Sequence, residues 1–359
     1  MFSIRVSVVL FGLLLLGRAQ SDAIEGSICQ AGRIVGKCVG IREFPQYLNL
    51  VRQRKHSDEE ISFLLAHQCG YTSARKFLVC RPVVINEPGC GKQFSDRIVK
   101  GKLAALDDYP WMALFQYQKP RGQTGFHCGG ALIQARYVLS AAHCFVGLRS
   151  GWKAIKVRLG EWDFEEDLDC VEDVGDLHCA PPVQEFDLEA IIPHDGFSVR
   201  DPNKQHDIAL VRLSREATFS NYIKPICIPE PGSVEPEQLY SGIMAASGWG
   251  KTENASFSRY KLYTKLWAID YSKCKSQYAE ALRIQLSEGQ FCAGGNDGQD
   301  TCNGDSGGPL MKEIAVQGRH YLAGIVSFGP KRCGEQLPGV YTTVEQYYPW
   351  IAANIMEYT

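Results

Sequence analysis

Three short stretches carry side chains that could together do covalent chemistry. Asp300-Thr301-Cys302-Asn303-Gly304-Asp305-Ser306-Gly307-Gly308-Pro309-Leu310 places a serine among glycines, and a residue without Cβ lets backbone amides approach a reacting carbonyl. Ala141-Ala142-His143-Cys144 offers a base, and His206-Asp207-Ile208-Ala209-Leu210 offers a carboxylate. Any one of them alone would pass as a turn or a structural histidine. Together, in the order His, Asp, Ser, they match one of the orders in which a nucleophile, its base and the orienting acid occur along a chain. A serine hydroxyl is a poor nucleophile at neutral pH and needs a base within hydrogen-bond reach. His143 is expected to take the Ser306 proton and return it to a leaving amine, with Asp207 holding the imidazole tautomer. The N–H groups of Gly304 and Ser306 are the expected oxyanion hole, where loss of one such donor costs roughly 10²–10³ in turnover.

The elements that must hold these groups follow from the texture of the chain beyond Ile98. Short runs rich in valine, isoleucine, leucine and tyrosine alternate with glycine and proline: Met112 to Tyr117, Gly130 to Ile133, Tyr137 to Ser140, Ile155 to Leu159 and Ile208 to Leu213. The texture resumes at Leu262 to Ile269, Tyr321 to Ser327 and Gly339 to Val344. This pattern predicts an all-β sandwich or barrel. Tyr347, Trp350, Ile351 and Ile355 share one helical face and predict a closing helix.

The chain has 359 residues, enough for about two domains. Its 45% hydrophobic and 22% charged content is that of a globular protein, and the formal charge of −2 provides no basic field to attract nucleic acid. The run Arg52-Gln53-Arg54-Lys55 is expected to be a solvated loop. Met1 to Ala19 has the composition of a secretory signal, with Arg5, an apolar centre from Val8 to Leu16, and Gly17-Arg18-Ala19 as a cleavage pattern. That centre is short for a membrane span, and no later segment qualifies. Secretion accounts for 14 cysteines as disulfides; zinc is the competing use, but the cysteines form no ligand quartet with nearby histidines. Residues 20–28 form a short N-terminal segment. Residues 29–81 form a small module with four cysteines, Cys29, Cys38, Cys69 and Cys80, and a helix-compatible centre from Asp58 to Ala66. A unit this small buries little core and depends on crosslinks. Residues 82–97, with Pro82 and Pro88, are expected to be an exposed linker.

Residues 98–359 resemble the chymotrypsin/trypsin family of serine proteases over nearly their whole length. The resemblance carries that family's triad mechanism over to His143, Asp207 and Ser306. The resemblance implies an all-β domain of two perpendicular six-stranded β-barrels with a C-terminal helix and the active site between the barrels. His143 and Asp207 would come from the first barrel and Ser306 from the second. Asp300 matches the base of the trypsin specificity pocket, where a carboxylate pairs with a substrate Arg or Lys. Gly329 and Gly339 match its open walls, and Ser327-Phe328-Gly329 the segment that pairs with the substrate backbone.

Asp96-Arg97-Ile98-Val99-Lys100-Gly101 resembles the family's activation site, cleaved after Arg97. The freed amine of Ile98 would pair with Asp305, and a buried carboxylate deprived of such a partner commonly costs roughly 3–5 kcal/mol. The uncleaved chain is therefore expected to be latent. The cleaved enzyme is expected to lose activity at alkaline pH as this amine, of ordinary pKa about 8, deprotonates.

The N-terminal module, through Cys38-Val39-Gly40-Ile41, Cys69-Gly70 and Phe77-Leu78-Val79-Cys80, resembles the clip domain of arthropod clip-domain serine proteases. Such domains usually have six cysteines in three bridges. Phe44 and Arg81 stand where the third and sixth belong, so one whole bridge is expected to be absent. The resemblance implies the pairs Cys29–Cys80, Cys38–Cys69, Cys90–Cys227, Cys128–Cys144, Cys170–Cys179, Cys274–Cys292 and Cys302–Cys333. The bridge Cys90–Cys227 would keep the clip module tethered after cleavage. Glu161 to Asp176 is dense in acids, and related proteases bind calcium in this loop; calcium near Glu161 is the candidate structural ion, with a solvated acidic loop as the alternative. No cofactor is expected to be required. Asn254-Ala255-Ser256 is a glycosylation sequon.

The resulting expectation is a secreted zymogen in haemolymph that cuts after Arg or Lys in an extracellular cascade. The resemblance implies protein substrates, namely a protease zymogen, prophenoloxidase (melanisation) or a cytokine precursor (Toll signalling), together with an upstream activating protease and a serpin inhibitor. A developmental cascade, a digestive trypsin and a catalytically dead homologue acting as cofactor or adaptor are the rival expectations. Dead homologues typically lack a triad residue, whereas this chain keeps all three.

Overall fold

The helix from Asp58 to Ala66 forms where Ser57 can close a capping box: Ser57 Oγ accepts from Glu60 N at 3.2 Å, and Glu60 Oε2 accepts from Ser57 N at 2.8 Å. It belongs to the first of two compact units in a computed structural model, which divides the chain between Val83 and Val84. The structure describes residues 23–31, 34–53, 55–93, 103–173, 175–250, 257–294, 305–330 and 337–357.

The N-terminal unit is a four-stranded sheet of β1 (Ile28–Ala31), β2 (Ile34–Gly40), β3 (Gln68–Tyr71) and β4 (Phe77–Pro82), in the order β1-β2-β4-β3. The helices Pro45–Val51 and Asp58–Ala66 lie between β2 and β3 in the chain. The bridges Cys29–Cys80 and Cys38–Cys69 staple it. Phe44 does not merely leave a bridge out. It is buried with Val39, Tyr47 and Val79, while Arg81 Nη1 donates to the neighbouring carbonyl of Glu43 at 3.2 Å. An aromatic core residue and a hydrogen bond thus occupy the two positions where a third bridge would be expected.

The second unit holds two closed six-stranded barrels. The first is built of β5 (Met112–Gln118), β6 (Thr124–Gln134), β7 (Tyr137–Ser140), β8 (Lys153–Leu159), β11 (Gln184–Pro193) and β12 (Ala209–Leu213), closed in the order β11-β12-β7-β6-β5-β8. A separate hairpin of β9 (Cys170–Asp173) and β10 (Asp176–Cys179) is closed by the Cys170–Cys179 bridge. The second barrel is β13 (Ile243–Gly248), β14 (Leu262–Ile269), β15 (Gln290–Gly294), β16 (Pro309–Ile314), β17 (Arg319–Phe328) and β18 (Gly339–Thr343), in the order β13-β14-β15-β18-β17-β16. Closure leaves no unpaired sheet edge, and Phe115, Leu139, Val157, Leu266, Leu310 and Tyr341 are fully buried. The closing helix runs from Tyr348 to Glu357, and the helix from Tyr271 to Leu282 starts where Asp270 accepts from Lys273 N at 2.9 Å.

One expectation fails. The stretch after Pro82 is not an exposed linker throughout, because Ile85 and Cys90 are fully buried in the second unit. Asn86 Nδ2 donates to Ile228 O at 2.8 Å and its Oδ1 accepts from Ile228 N at 2.7 Å. The prolines and polar residues suggested solvent, but an isoleucine, an asparagine and a disulfide dock the strap. Among the described residues no helix is long and apolar enough to cross a membrane.

Candidate active site

His143 sits in a single tight turn, Ala142–Cys144, that follows β7 and is pinned by the Cys128–Cys144 bridge to β6. Asp207 immediately precedes Ile208 and β12 and is wholly buried. Its Oδ2 accepts from His143 Nδ1 at 2.7 Å and its Oδ1 from His143 N at 2.9 Å. Since a carboxylate can only accept, the ring proton is placed on Nδ1, and Nε2 is left as the basic nitrogen.

Two further residues hold Asp207, one at its carboxylate and one at its backbone carbonyl. Ser327 Oγ donates to Asp207 Oδ2 at 2.5 Å, and Thr342 Oγ1 donates to Asp207 O at 2.8 Å. Burial is the largest single influence on Asp207 and would push its pKa up. The charge and hydrogen bond of His143, the Ser327 hydroxyl and the His143 amide together outweigh it, so the carboxyl sits below its ordinary 3.8. Ser327, expected from the sequence to bind substrate backbone, turns its side chain to Asp207. Behind Asp207, the rings of His206 and His194 stack at 4.7 Å, and His206 Nδ1 lies 3.1 Å from Tyr347 Oη.

Ser306 lies just ahead of β16, and its carbonyl accepts from Gly129 N at 2.9 Å, which joins the second barrel to β6 of the first. Among the described residues Ser306 Oγ makes no hydrogen bond. Gly307 cannot be replaced without strain. Its φ is +77°, and a Cβ there would meet Ser140 Oγ at 2.2 Å and Gly129 O at 2.6 Å. Gly250 N donates to Asp305 Oδ1 at 2.9 Å, and side chains at Gly248 or Gly250 would strike that carboxylate. Gly329 faces Gly339, whose Cα lies 3.7 Å from the position of a Gly329 Cβ. Phe328 packs edge-on against Tyr278.

A cleft of about 340 Å³ opens beside the strand that leads to Cys128, lined by Leu114, Phe126, His127, Phe164, Trp249 and Phe257 among others. The His127 ring lies 4.5 Å from that of Trp152 at a tilt of 43°, and its buried Nε2 has no partner among the described residues. Burial and, secondarily, the nearby charges of Lys119 and Arg149 push its pKa down to about 4.

Of the expected site residues, Arg97, Ile98, Asn254, Asp300, Gly304 and the Cys302–Cys333 pair lie outside the described residues. The other six expected disulfides are formed: Cys29–Cys80, Cys38–Cys69, Cys90–Cys227, Cys128–Cys144, Cys170–Cys179 and Cys274–Cys292. In the acidic loop Glu161, Asp163, Glu165, Glu166 and Asp169 are engaged with protein groups. Glu161 binds Arg158 at 3.1 Å, and Asp169 accepts from the amides of Trp162 and Asp163. Asp163, Glu165 and Glu166 converge on Arg259 at 2.6, 3.4 and 2.7 Å.

Comparison with known proteins places this geometry. The trypsin family model matches residues 98–351, and the model of the regulatory CLIP domain of proteinases matches residues 29–80. A CLIP domain-containing serine protease B4 of Anopheles gambiae is 42% identical over 89% of both chains. Melanization protease 1 of Drosophila melanogaster is 34% identical over 96% of this chain and 97% of its own. The crystal structure of the Drosophila Grass clip serine protease of the Toll pathway superposes with a TM-score of 0.68 at 31% identity, covering 94% of this chain and 99% of that one. The chain belongs to the trypsin family of serine proteases, in the branch that carries an N-terminal clip domain.

Proposed function

We propose that the chain is the secreted zymogen of a trypsin-like endopeptidase, activated by cleavage after Arg97 and acting on Arg or Lys bonds of proteins in an extracellular immune cascade. The observation that carries the catalytic part is the Asp207 carboxylate, fixed by Ser327 and hydrogen-bonded to His143 Nδ1 at 2.7 Å. That arrangement leaves Nε2 to take the proton of Ser306 as Oγ attacks the scissile carbonyl. The same proton then passes to the leaving amine as the C–N bond breaks, and water repeats the sequence to free the acyl group. The developing oxyanion would be held by the amides of Gly304 and Ser306, and the substrate cation by Asp300, at the base of a pocket whose wall glycines are Gly329 and Gly339.

The placement in a cascade draws on relatives whose names specify melanisation and the Toll pathway. Substrates would be a protease zymogen, prophenoloxidase or a cytokine precursor, with an upstream protease and a serpin as the other partners. Calcium enters the proposal as a matter of stability alone. With Arg158 and Arg259 already on the acids, an ion in this loop would have to compete with a guanidinium.

The test is cleavage of the full chain at Arg97, followed by labelling with a serine-directed phosphonylating reagent and assay on Arg and Lys peptides. Labelling at Ser306 with cleavage after Arg is expected, and Ser306→Ala should abolish both. A cleaved, folded protein inert to the reagent would instead identify an adaptor.

A further inference from the structure

Between Asp108 and Glu161 the chain has no acid and seven lysines and arginines, although its formal charge as a whole is −2. Three of the seven are neutralised on the first barrel: Arg136 by Glu189, and Lys156 and Arg158 by Glu185. The other four, Lys119, Arg121, Arg149 and Lys153, form no ion pair among the described residues. Gathered like charges repel one another and add nothing to stability, but they focus a field that attracts the opposite sign.

The fold brings these four together. Lys119 Nζ and Arg149 Cζ lie 5.0 and 5.7 Å from the centre of the Trp152 ring, within the range of a cation–π contact. The register of β5 on β8 sets Lys153 opposite Gln118, the neighbour of Lys119. Arg121 sits in the turn Pro120–Gly122, which Lys119 N closes by donating to Gln123 O at 2.7 Å. A Cβ at Gly151 would lie 3.0 Å from Pro120 Cγ, so the loop that carries Arg149 rests on that turn. Arg121, Arg149 and Lys153 are exposed, and Lys119 and Trp152 are half-buried. Asp163, Glu165 and Glu166, beside Phe164 of the cleft wall, turn to Arg259 and leave the patch uncompensated.

The patch is continuous with the catalytic centre. Lys119 and Thr124 line the same cleft as Phe126 and His127. The strand then runs on to Gly129, whose N donates to Ser306 O at 2.9 Å. From Gly129 back to Thr124 is roughly 17 Å of extended strand, about five residues of a substrate lying alongside. The side of the scissile bond follows from His143. Its Nε2, which hands the proton to the leaving amine, lies 4.0 Å from Cys144 Sγ, and the bridge to Cys128 leads from there to His127.

We propose that Lys119, Arg121, Arg149 and Lys153 around Trp152 form a docking patch for an acidic segment of the protein substrate, on the leaving-group side of the scissile bond and from about its fifth residue onward. This rests on the endopeptidase reading above and deepens it. A peptide fits better than a sulfated polysaccharide, because the patch continues into a cleft lined by Leu114, Phe126, Phe164 and Phe257. Apolar side chains can fill such a cleft, whereas a sulfated sugar has none to offer.

The experiment uses the full chain cleaved after Arg97 and two peptides with a single Arg bond. They are identical through the fourth residue after that bond, and residues five to eight are Glu in one and Gln in the other. The ratio of kcat/KM, acidic over neutral, is expected to be about tenfold at about 20 mM salt, carried by KM, and to fall toward one at about 500 mM. In Arg121→Glu/Arg149→Glu/Lys153→Glu the low-salt ratio should drop below one. Should that variant fail to fold, Arg121→Gln/Lys153→Gln is expected to cut the ratio several-fold. A wild-type ratio of one at low salt, or a ratio that the variants leave unchanged, overturns the proposal. Retention of wild type on sulfated dextran beside a ratio of one overturns it in favour of a polysaccharide. If cleaved wild type turns over neither peptide, the endopeptidase reading fails, and anisotropy of the labelled acidic peptide on the same protein decides the patch. Binding that the triple variant loses upholds the patch, and no binding overturns it.

Discussion

Ser327 follows Asp207 by 120 residues, yet its hydroxyl donates to Oδ2 of that wholly buried carboxylate at 2.5 Å. The bond crosses from the second barrel to the strand that carries the acid of the first, so the triad geometry depends on how the barrels meet. A hydrogen bond to a charged group contributes about 1.5–3 kcal/mol. Ser327→Ala is expected to lower kcat on Arg peptides by about tenfold or more, with Ser306 still open to labelling. Unchanged kcat would mean that His143 and Thr342 hold Asp207 without help.

Two groups contribute to the acid side of the stability profile, the buried Asp207 and the half-buried His127. The Asp207 carboxyl lies below 3.8 when folded, so its contribution is present above that value and is lost as pH falls through the folded pKa. His127, an ordinary 6.5 when unfolded and about 4 when folded, refuses a proton that the unfolded chain accepts between those values. Stability should therefore fall as pH drops from 6.5 to 4, by an amount on the order of 1–3 kcal/mol for this half-exposed ring. His127→Phe, in a pocket already lined by aromatics, is expected to flatten that limb in urea titrations run across the window. An unchanged slope would assign the loss to other groups.

The triad was legible because each member sits in a short local motif, and the strands around it because their apolar runs are uninterrupted. What supports the triad was not. Thr342 and Ser327 reach Asp207 from 135 and 120 residues away, and no local spacing announces a contact of that kind. The strap from Val84 to Gln93 looked solvated because proline and polar residues dominate it. Its docking depends on Asn86 matching the backbone of Ile228 and on Ile85 finding a cavity, both properties of the partner surface. Gln184–Pro193 became a long strand although Glu185, Asp187 and Glu189 interrupt its apolar residues. Their side chains point outward, with Glu185 meeting Arg158 and Lys156 and Glu189 meeting Arg136 and Arg212.

Phe44 supports the N-terminal unit at a position where a disulfide was expected. Truncating a buried phenylalanine typically costs about 3–5 kcal/mol, a large part of the stability of so small a unit. Phe44→Ala should expose residues 23–83 to limited proteolysis at concentrations that spare the wild type. After cleavage at Arg97, activity on a short peptide should hold, since the aromatic partners of Phe44 all belong to the clip unit. Wild-type resistance to proteolysis would contradict this.

The strap also bears on what happens after cleavage. Cys90–Cys227 joins it to the protease unit covalently, but Asn86 and the reciprocal bonds of Gly91 to Pro225 and His320 hold it as well. Wild type cleaved at Arg97 should run as one band without reductant and as two with it. The double variant Cys90→Ser/Cys227→Ser should give two bands under both conditions and still co-elute as one species in native gel filtration. Separation on the native column would show that the disulfide alone retains the clip unit.

The acidic loop tests whether an arginine can stand where an ion was expected. Asp163, Glu165 and Glu166 turn toward Arg259, and Phe164 N donates to Arg259 O, so the side chain and backbone of one residue gather the loop. Calcium prefers several oxygens that a fixed cation does not already hold. Wild type is therefore expected to show little change in Tm between calcium and chelator. In Arg259→Gln the three carboxylates are released and repel one another, so Tm should drop in chelator and recover when millimolar calcium is added. A calcium-dependent rise in wild type of the size seen in the variant would mean that the ion and the guanidinium do not compete, and that the loop binds calcium through other oxygens.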